Sequence, residues 1–288
     1  MPVTVVVAAQ SGPEFEVALM SIRVERLRIG PYQLVRQLEP GRHSERWLAF
    51  NETNQTAHVA YRFRMGHEKA EQRRFLSAVE GLAPLSHPHL LPVEQFAFGI
   101  GGGAWIVSPY SGNHDGLVTL ASLVREKGGM LSPVEAERAL TQLLEAAEYA
   151  HGAGHQHGPV SATEVMVDRR GSLAIELYGL SRRLHLTGAR PSTEVVRDEV
   201  RSIVEIGYWL LTGLPAEEPR IQAGRLIPKL DRRWDEWFEA GLDPLAGFLS
   251  AEEALSGLPG LRREIEVRER VSPVRTVIGR FARALRPS

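Results

Sequence analysis

In this chain of 288 residues the side chains able to do chemistry crowd into one stretch, residues 149–183. His151, His155 and His157 are followed by Ser161, Glu164, Asp168 and Glu176. Imidazoles this close invite a metal, and hydroxyl and carboxylate groups invite proton transfer or cation binding. The spacing argues against most of this chemistry. His151 closes a helix, where a protonated imidazole is favoured by the dipole. Asp168 precedes Arg169, Arg170 and Gly171 and reads as a turn former. Glu164 lacks a second ligand beside it. Glu176 adjoins Leu177 on an extended segment, so the two side chains should point to opposite faces. No metal site is expected.

The elements that must position this stretch can be read around it. Locally it is a helix end, a loop, a short apolar strand Val165–Val167, a turn at Asp168–Gly171 and a second strand Leu173–Ile175. Upstream, Tyr32–Leu38, Glu45–Phe50 and His58–Phe63 read as three antiparallel strands with tight connections. A helix from Glu68 to about Leu85 follows, with Phe75, Leu76, Val79 and Leu82 at helical spacing. His87-Pro88 stops it, because a proline ring disfavours helix in the residue before it. Leu91–Phe98 and Ala104–Val107 are two more strands, and Ser108–Asp115 carries turn formers. Two helical segments come next, Leu117–Lys127 and Ser132–His151. The second opens with Ser132 as N-cap, Pro133 at the first helical position and Glu135 three after the cap. Asp198–Thr212 is a buried helix that Gly213 caps. Trp234–Ala240 and Ser250–Leu258 are closing helices, the latter with Ser250 and Glu253 spaced as a capping box.

Composition bounds the function classes. Lys and Arg number 34 against 35 Asp and Glu, so global charge points to neither nucleic acid nor membrane. There is no cysteine, which excludes disulfides, thiolate metal sites and cysteine nucleophiles. No apolar run approaches the roughly 20 residues that span a bilayer, and no basic residue precedes the apolar run Val3–Ala9. A cytoplasmic protein is the expectation.

The order of strands and helices over residues 31–258 resembles the protein kinase superfamily, of the bacterial Ser/Thr type. The resemblance implies an α+β, two-lobed fold: a small β-rich lobe with one main helix (31–110) and a larger helical lobe (111–258), flanked by an extension (1–30) and a tail (259–288). Its signatures are a glycine-rich loop, a Val-Ala-Ile-Lys strand, a His-Arg-Asp loop with Lys and Asn, and Asp-Phe-Gly. In this chain the loop positions read Glu39, Gly41, Ser44 and Arg46, the last replacing the valine that would cap an adenine ring. Val59-Ala60-Tyr61-Arg62 stands for Val-Ala-Ile-Lys, with Arg62 for the lysine, and Ala78 for the glutamate that would pair with it. Pro159 stands for the catalytic aspartate, Ser161 for the lysine, Glu164 for the asparagine and Leu177 for the metal-binding aspartate. A vestigial nucleotide cleft is implied at Gly41, Ala60, Arg62, Ser108, Tyr110, Ser111 and Met166. An apolar stack is implied among Leu82, His157 and Tyr178, and Glu199 takes the place of the aspartate of the buried large-lobe helix.

Proline cannot orient a nucleophile, and leucine cannot bind a hard cation that wants oxygen ligands. The reading is therefore a pseudokinase, a scaffold or allosteric module for another protein, with no nucleic acid partner. No cofactor is expected, and ATP binding is expected to be weak or absent. The rivals are a divergent Ser/Thr kinase using Glu164 and Arg62, and a switch that binds ATP without cleaving it. At the start, Ile22–Ile29 alternates like an edge strand, although Met20 is an equal candidate for the first residue. At the end, residues 272–288 place Val274, Val277, Ile278, Phe281 and Leu285 on one helical face and arginines on the other. This pattern fits docking on the large lobe, a partner groove or peripheral contact with an anionic membrane.

Overall fold

The computed structural model describes residues 28–66, 68–98, 103–112, 116–184 and 192–260. The readings of residues 1–27, including a start at Met20, and of residues 261–288 lie outside this set. So do residues 113–115 of the Ser108–Asp115 turn.

Alternating side chains over residues 28–109 build a six-stranded antiparallel sheet in the order β1-β2-β3-β4-β6-β5. The strands are β1 (Arg28–Ile29), β2 (Tyr32–Gln37), β3 (Glu45–Asn51), β4 (Thr56–Phe63), β5 (Gln95–Phe98) and β6 (Ala104–Pro109). Leu91–Phe98 yields a strand only from Gln95, in keeping with Pro92, which has no N–H to give a ladder. Register fixes the faces. Arg46 lies opposite Tyr61 and Leu48 opposite Val59, while Glu45 lies opposite Arg62 and Trp47 opposite Ala60. Val59, Tyr61, Phe63 and Ile106 share the main core with Phe75, Ala78, Val79 and Leu82 of α1 (Lys69–Leu82). Tyr32, Leu34, Ala49, Ala60 and Val107 form a separate cluster with the half-buried Trp47 and Trp105 packed on it.

The larger lobe is assembled around α3 (Pro133–Gly152) and α5 (Ser192–Thr212). Both bonds of the Ser132–Glu135 capping box are present at the start of α3. The two helices approach closely at Gly207, where an added Cβ would lie 2.7 Å from a methyl of Leu140. Gly213 ends α5 in the left-handed region, φ 71°. Helix α2 (Leu120–Glu126) starts later than its apolar pattern because Thr119 and Ser122 form a capping box. Helices α7 (Arg233–Leu242) and α8 (Ala251–Gly257) close the lobe. The box expected at Ser250 is only half made: Ser250 Oγ accepts from Glu253 N at 3.1 Å, but the Glu253 carboxylate takes Leu249 N at 2.8 Å. Two short helices, α4 (Leu180–Leu184) and α6 (Ala223–Leu226), carry too few residues to show a period.

Strands β7 (Val165–Val167) and β8 (Leu173–Ile175) form the two-stranded ladder that holds the chemical stretch. Asp168 makes the expected turn, accepting from Arg170 N and Ser172 N at 2.8 Å. The lobes are tied behind this ladder. Leu91 N donates to Ile175 O, and Ile175 N donates to His89 O, each at 2.9 Å. No helix among the described residues is long and apolar enough to cross a membrane.

Candidate functional site

Strand β3 delivers Arg46 from the small lobe into the cleft above β8, where its side chain is 1% exposed. Its Nε donates to Glu176 Oε2 at 3.1 Å, and its Nη2 donates to Glu176 Oε1 and to the carbonyl of Thr163, the latter at 2.9 Å. The planar guanidinium fork matches the carboxylate atom for atom, and the carbonyl takes a further proton. Gly41 lies directly against this group: an added Cβ would sit 3.1 Å from Arg46 Nε. The glycine that the loop retains leaves room for an arginine. Burial pushes the Glu176 carboxyl upward, and the Arg46 charge opposes that shift. Tyr61, on the same face as Arg46, is fully buried; its hydroxyl faces Glu176 without an aligned hydrogen bond. Its phenol is pushed well above its ordinary value by burial and then by the Glu176 charge.

The space beside this pair is a cavity of about 20 Å³, walled by His43, Ser44, Glu164, Glu176, Leu177 and neighbours. Glu164 is buried, accepts from Ser161 N at 3.1 Å, and has Arg42 and His43 within 3.8 and 3.9 Å. Ser161 Oγ is engaged with Thr163 Oγ1 at 2.9 Å. Pro159 is exposed and has no group to offer; Leu177 is half-buried with a φ of 46°, in the left-handed region. These side chains offer a hard cation few free oxygens. The two nearby carboxylates are held by other partners, and the third position is a hydrocarbon.

Beneath the cleft a second carboxylate organises the loop. Glu199, on α5, is 0% exposed. Its Oε2 accepts from His157 N at 2.7 Å and Gly158 N at 3.1 Å, with His151 Nε2 at 3.3 Å. Its Oε1 accepts from the hydroxyl of Tyr178. The Tyr178 and His157 rings meet edge to face, with centroids 5.3 Å apart. Leu82 belongs to the same buried cluster as Tyr178. Val160 N is held by Ser202 Oγ at 2.8 Å, one turn along α5. A single helix thus anchors the loop's backbone, and the tyrosine hydroxyl extends that anchor to the turn after β8.

Three positions depart from the sequence reading. Arg62 lies on the opposite strand face from Arg46, stacks 5.6 Å over the Trp105 ring, sits 3.5 Å from Glu45, and lines with Gly41 and Ser44 a cavity of about 450 Å³. Strand alternation gives the reason, since β3 register puts Tyr61, not Arg62, opposite Arg46. Ala60 shares that displaced face and packs with Trp47 and Val107, outside the cleft. Glu176 does not turn away from the site. Strand β8 ends at Ile175, and the left-handed Leu177 breaks the alternation, so both residues line the same small cavity. Of the other cleft residues, Ser108 and Met166 are fully buried, and Tyr110 and Ser111 are half-buried. Ala78 is buried in the small-lobe core. The residue that sequence reasoning missed is Glu176. Its signal was an acid between Ile175 and Leu177, matched by an arginine in the strand Glu45–Phe50.

No protein-family model matches the chain. A curated rice protein, CBL-interacting protein kinase 31 of Oryza sativa subsp. japonica, is 26% identical over 254 residues, covering 79% of this chain and 55% of the rice protein. CBL-interacting protein kinase 4 of the same organism is 29% identical over 148 residues, 47% of this chain and 32% of that protein. The chain thus spans about half, or less, of the length of these relatives. Among solved structures, the kinase domain of Mycobacterium tuberculosis PknI matches with a TM-score of 0.64 and 19% identity, over 82% of this chain and 97% of that domain. At that identity the likeness is one of fold.

Proposed function

We propose that this chain, whose fold is that of a protein kinase domain, is a pseudokinase: a domain that acts by binding another protein and transfers no phosphate. One observation carries the reading. The buried Arg46–Glu176 pair, with the Thr163 carbonyl, ties the strand after the loop to the turn after β8, so that an arginine and not a nucleotide is the partner of that carboxylate. The absence of an oxygen at Leu177 and of a proton acceptor at Pro159 supports the same conclusion. The protein works in the cytoplasm as a signalling scaffold, without nucleic acid and without a cofactor of its own.

The test is thermal unfolding with ATP, with and without Mg²⁺, beside a phosphate-transfer assay. A ligand at a hundred times its Kd stabilises by about 2.7 kcal/mol, so even modest binding registers. No shift and no transfer above background are expected. A shift with ATP alone would replace this reading by a nucleotide-gated switch. Transfer that Glu164→Ala abolishes would make the protein an enzyme.

A further inference from the structure

The large lobe carries a cavity of about 190 Å³ that shares no lining residue with the cleft. It lies between the first half of α5 and the loop joining α7 to α8. Its charged lining is Glu194, Asp198 and Asp243 against Arg197 and Arg201. Arg201 Nε already donates to Glu205 Oε1 at 3.2 Å, so acids outnumber cations around the opening. On the same loop two leucines stand in water, Leu245 87% exposed and Leu249 64%. They are held there. Asp243 accepts from Leu245 N at 2.7 Å and from Ala246 N at 2.8 Å, and Arg197 Nη2 donates to the Leu245 carbonyl at 2.6 Å. Glu253 accepts from Leu249 N at 2.8 Å. Between the leucines, Phe248 packs inward on Trp237, with ring centroids 5.7 Å apart. The loop thus presents apolar contact and negative charge side by side, on a fixed backbone.

We infer that the occupant of this surface is the chain's own C-terminal segment, residues 272–288, with Phe281 in the cavity and Leu285 against Leu249. The segment supplies both complements. Val274, Val277, Ile278, Phe281 and Leu285 recur at helical spacing, and Arg275, Arg280, Arg283 and Arg286 face no acid of their own segment. The reach is sufficient. Helix α8, 7 residues and so about 10 Å long, is all that separates Leu249 from Leu258 apart from single flanking residues. Residues 261–271 then span up to about 36 Å. Tethering at that length holds the segment at an effective concentration on the order of millimolar, which a free partner of the same chemistry would have to exceed. The state of the cleft does not enter.

The chain has no cysteine, so engineered pairs report without interference. In the full chain, Leu249→Cys with Leu285→Cys should close an intramolecular disulfide under mild oxidation. It should form about tenfold or more faster than the pair Val134→Cys with Leu285→Cys. Val134 is exposed on α3 three residues before Glu137, and Gly260 packs on the Glu137 side chain, so nearness to the tether alone would favour this control. Adding Phe281→Asp should slow the first pair about tenfold, and added salt should slow it too. Melting curves should show each variant folded. The full chain should stay in the supernatant with vesicles of phosphatidylserine and phosphatidylcholine. Equal rates for the two pairs, or no disulfide at Leu249→Cys, would overturn the inference. A disulfide joining two chains would assign the surface to a second copy, and pelleting that Phe281→Asp abolishes would assign the segment to a membrane; either result overturns it as well.

Discussion

Glu176 and Glu199 are buried to similar depth, 5% and 0% exposed, and are made tolerable in different ways. Glu176 is met by a full positive charge from the other lobe, 130 residues away in sequence. Glu199 is met by backbone amides, a phenol and the edge of His151, all within the larger lobe. The first arrangement fastens two lobes across a cleft. The second fixes one loop to one helix. The contrast separates what shapes the large lobe from what joins the two lobes, and it can be broken at either end.

The largest effect should come from Glu199→Ala. It strands two amides and the Tyr178 hydroxyl, and losses of about 1–3 kcal/mol for each buried unsatisfied group add to about 5 kcal/mol. Urea unfolding measures this; a loss under about 1 kcal/mol would show that the loop is held by other means.

The cleft should respond asymmetrically. Glu176→Leu leaves a guanidinium that cannot lose its proton, at a cost of about 3–5 kcal/mol. Arg46→Met leaves a carboxyl that can neutralise itself, so its cost is capped by protonation. From the ordinary value of 4.5 that cap is about 3 kcal/mol at pH 7. Because the folded carboxyl then sits above its unfolded value, the cost should shrink as pH falls toward 4.5. Replacing both, Arg46→Met with Glu176→Leu, should be neutral or stabilising, since the desolvation of two charges is removed together. Equal single-variant costs at all pH values would mean that the pair is wetter than its geometry shows.

Smaller still is Ser132→Ala, which removes the cap of α3 and should cost about 1 kcal/mol. Its partner Glu135 is held at about 2, first by Lys127 and then by Ser132. Depressed below its unfolded 4.5, Glu135 adds stability above that pH and loses it as pH falls toward 2. The group is exposed, so added salt should flatten that slope. Arg62→Ala should be smallest, about 0.5–1 kcal/mol for its place over Trp105. A large loss there would return Arg62 to the cleft.

The two-lobed order of elements was legible because long amphipathic helices and alternating strands carry strong periods, as in Ser132–His151 and Glu45–Phe50. That Leu177 carries no oxygen was legible from residue type alone. Facing was less so. Choosing between Tyr61 and Arg62 turns on a register shift of one, which local sequence does not set. Glu176 was assigned to the wrong face because alternation was carried past the last residue of β8, where a left-handed leucine ends it. The pairing of Arg46 with Glu176 joins a strand to a turn 130 residues away, and no local pattern encodes it.

The most direct measurement is proton exchange of the Arg46 side chain by NMR, before and after addition of ATP with Mg²⁺. The account predicts a slowly exchanging Nε proton whose shift does not move at millimolar nucleotide. An Nε proton exchanging as fast as those of exposed arginines, or one that shifts as nucleotide is added, would contradict it.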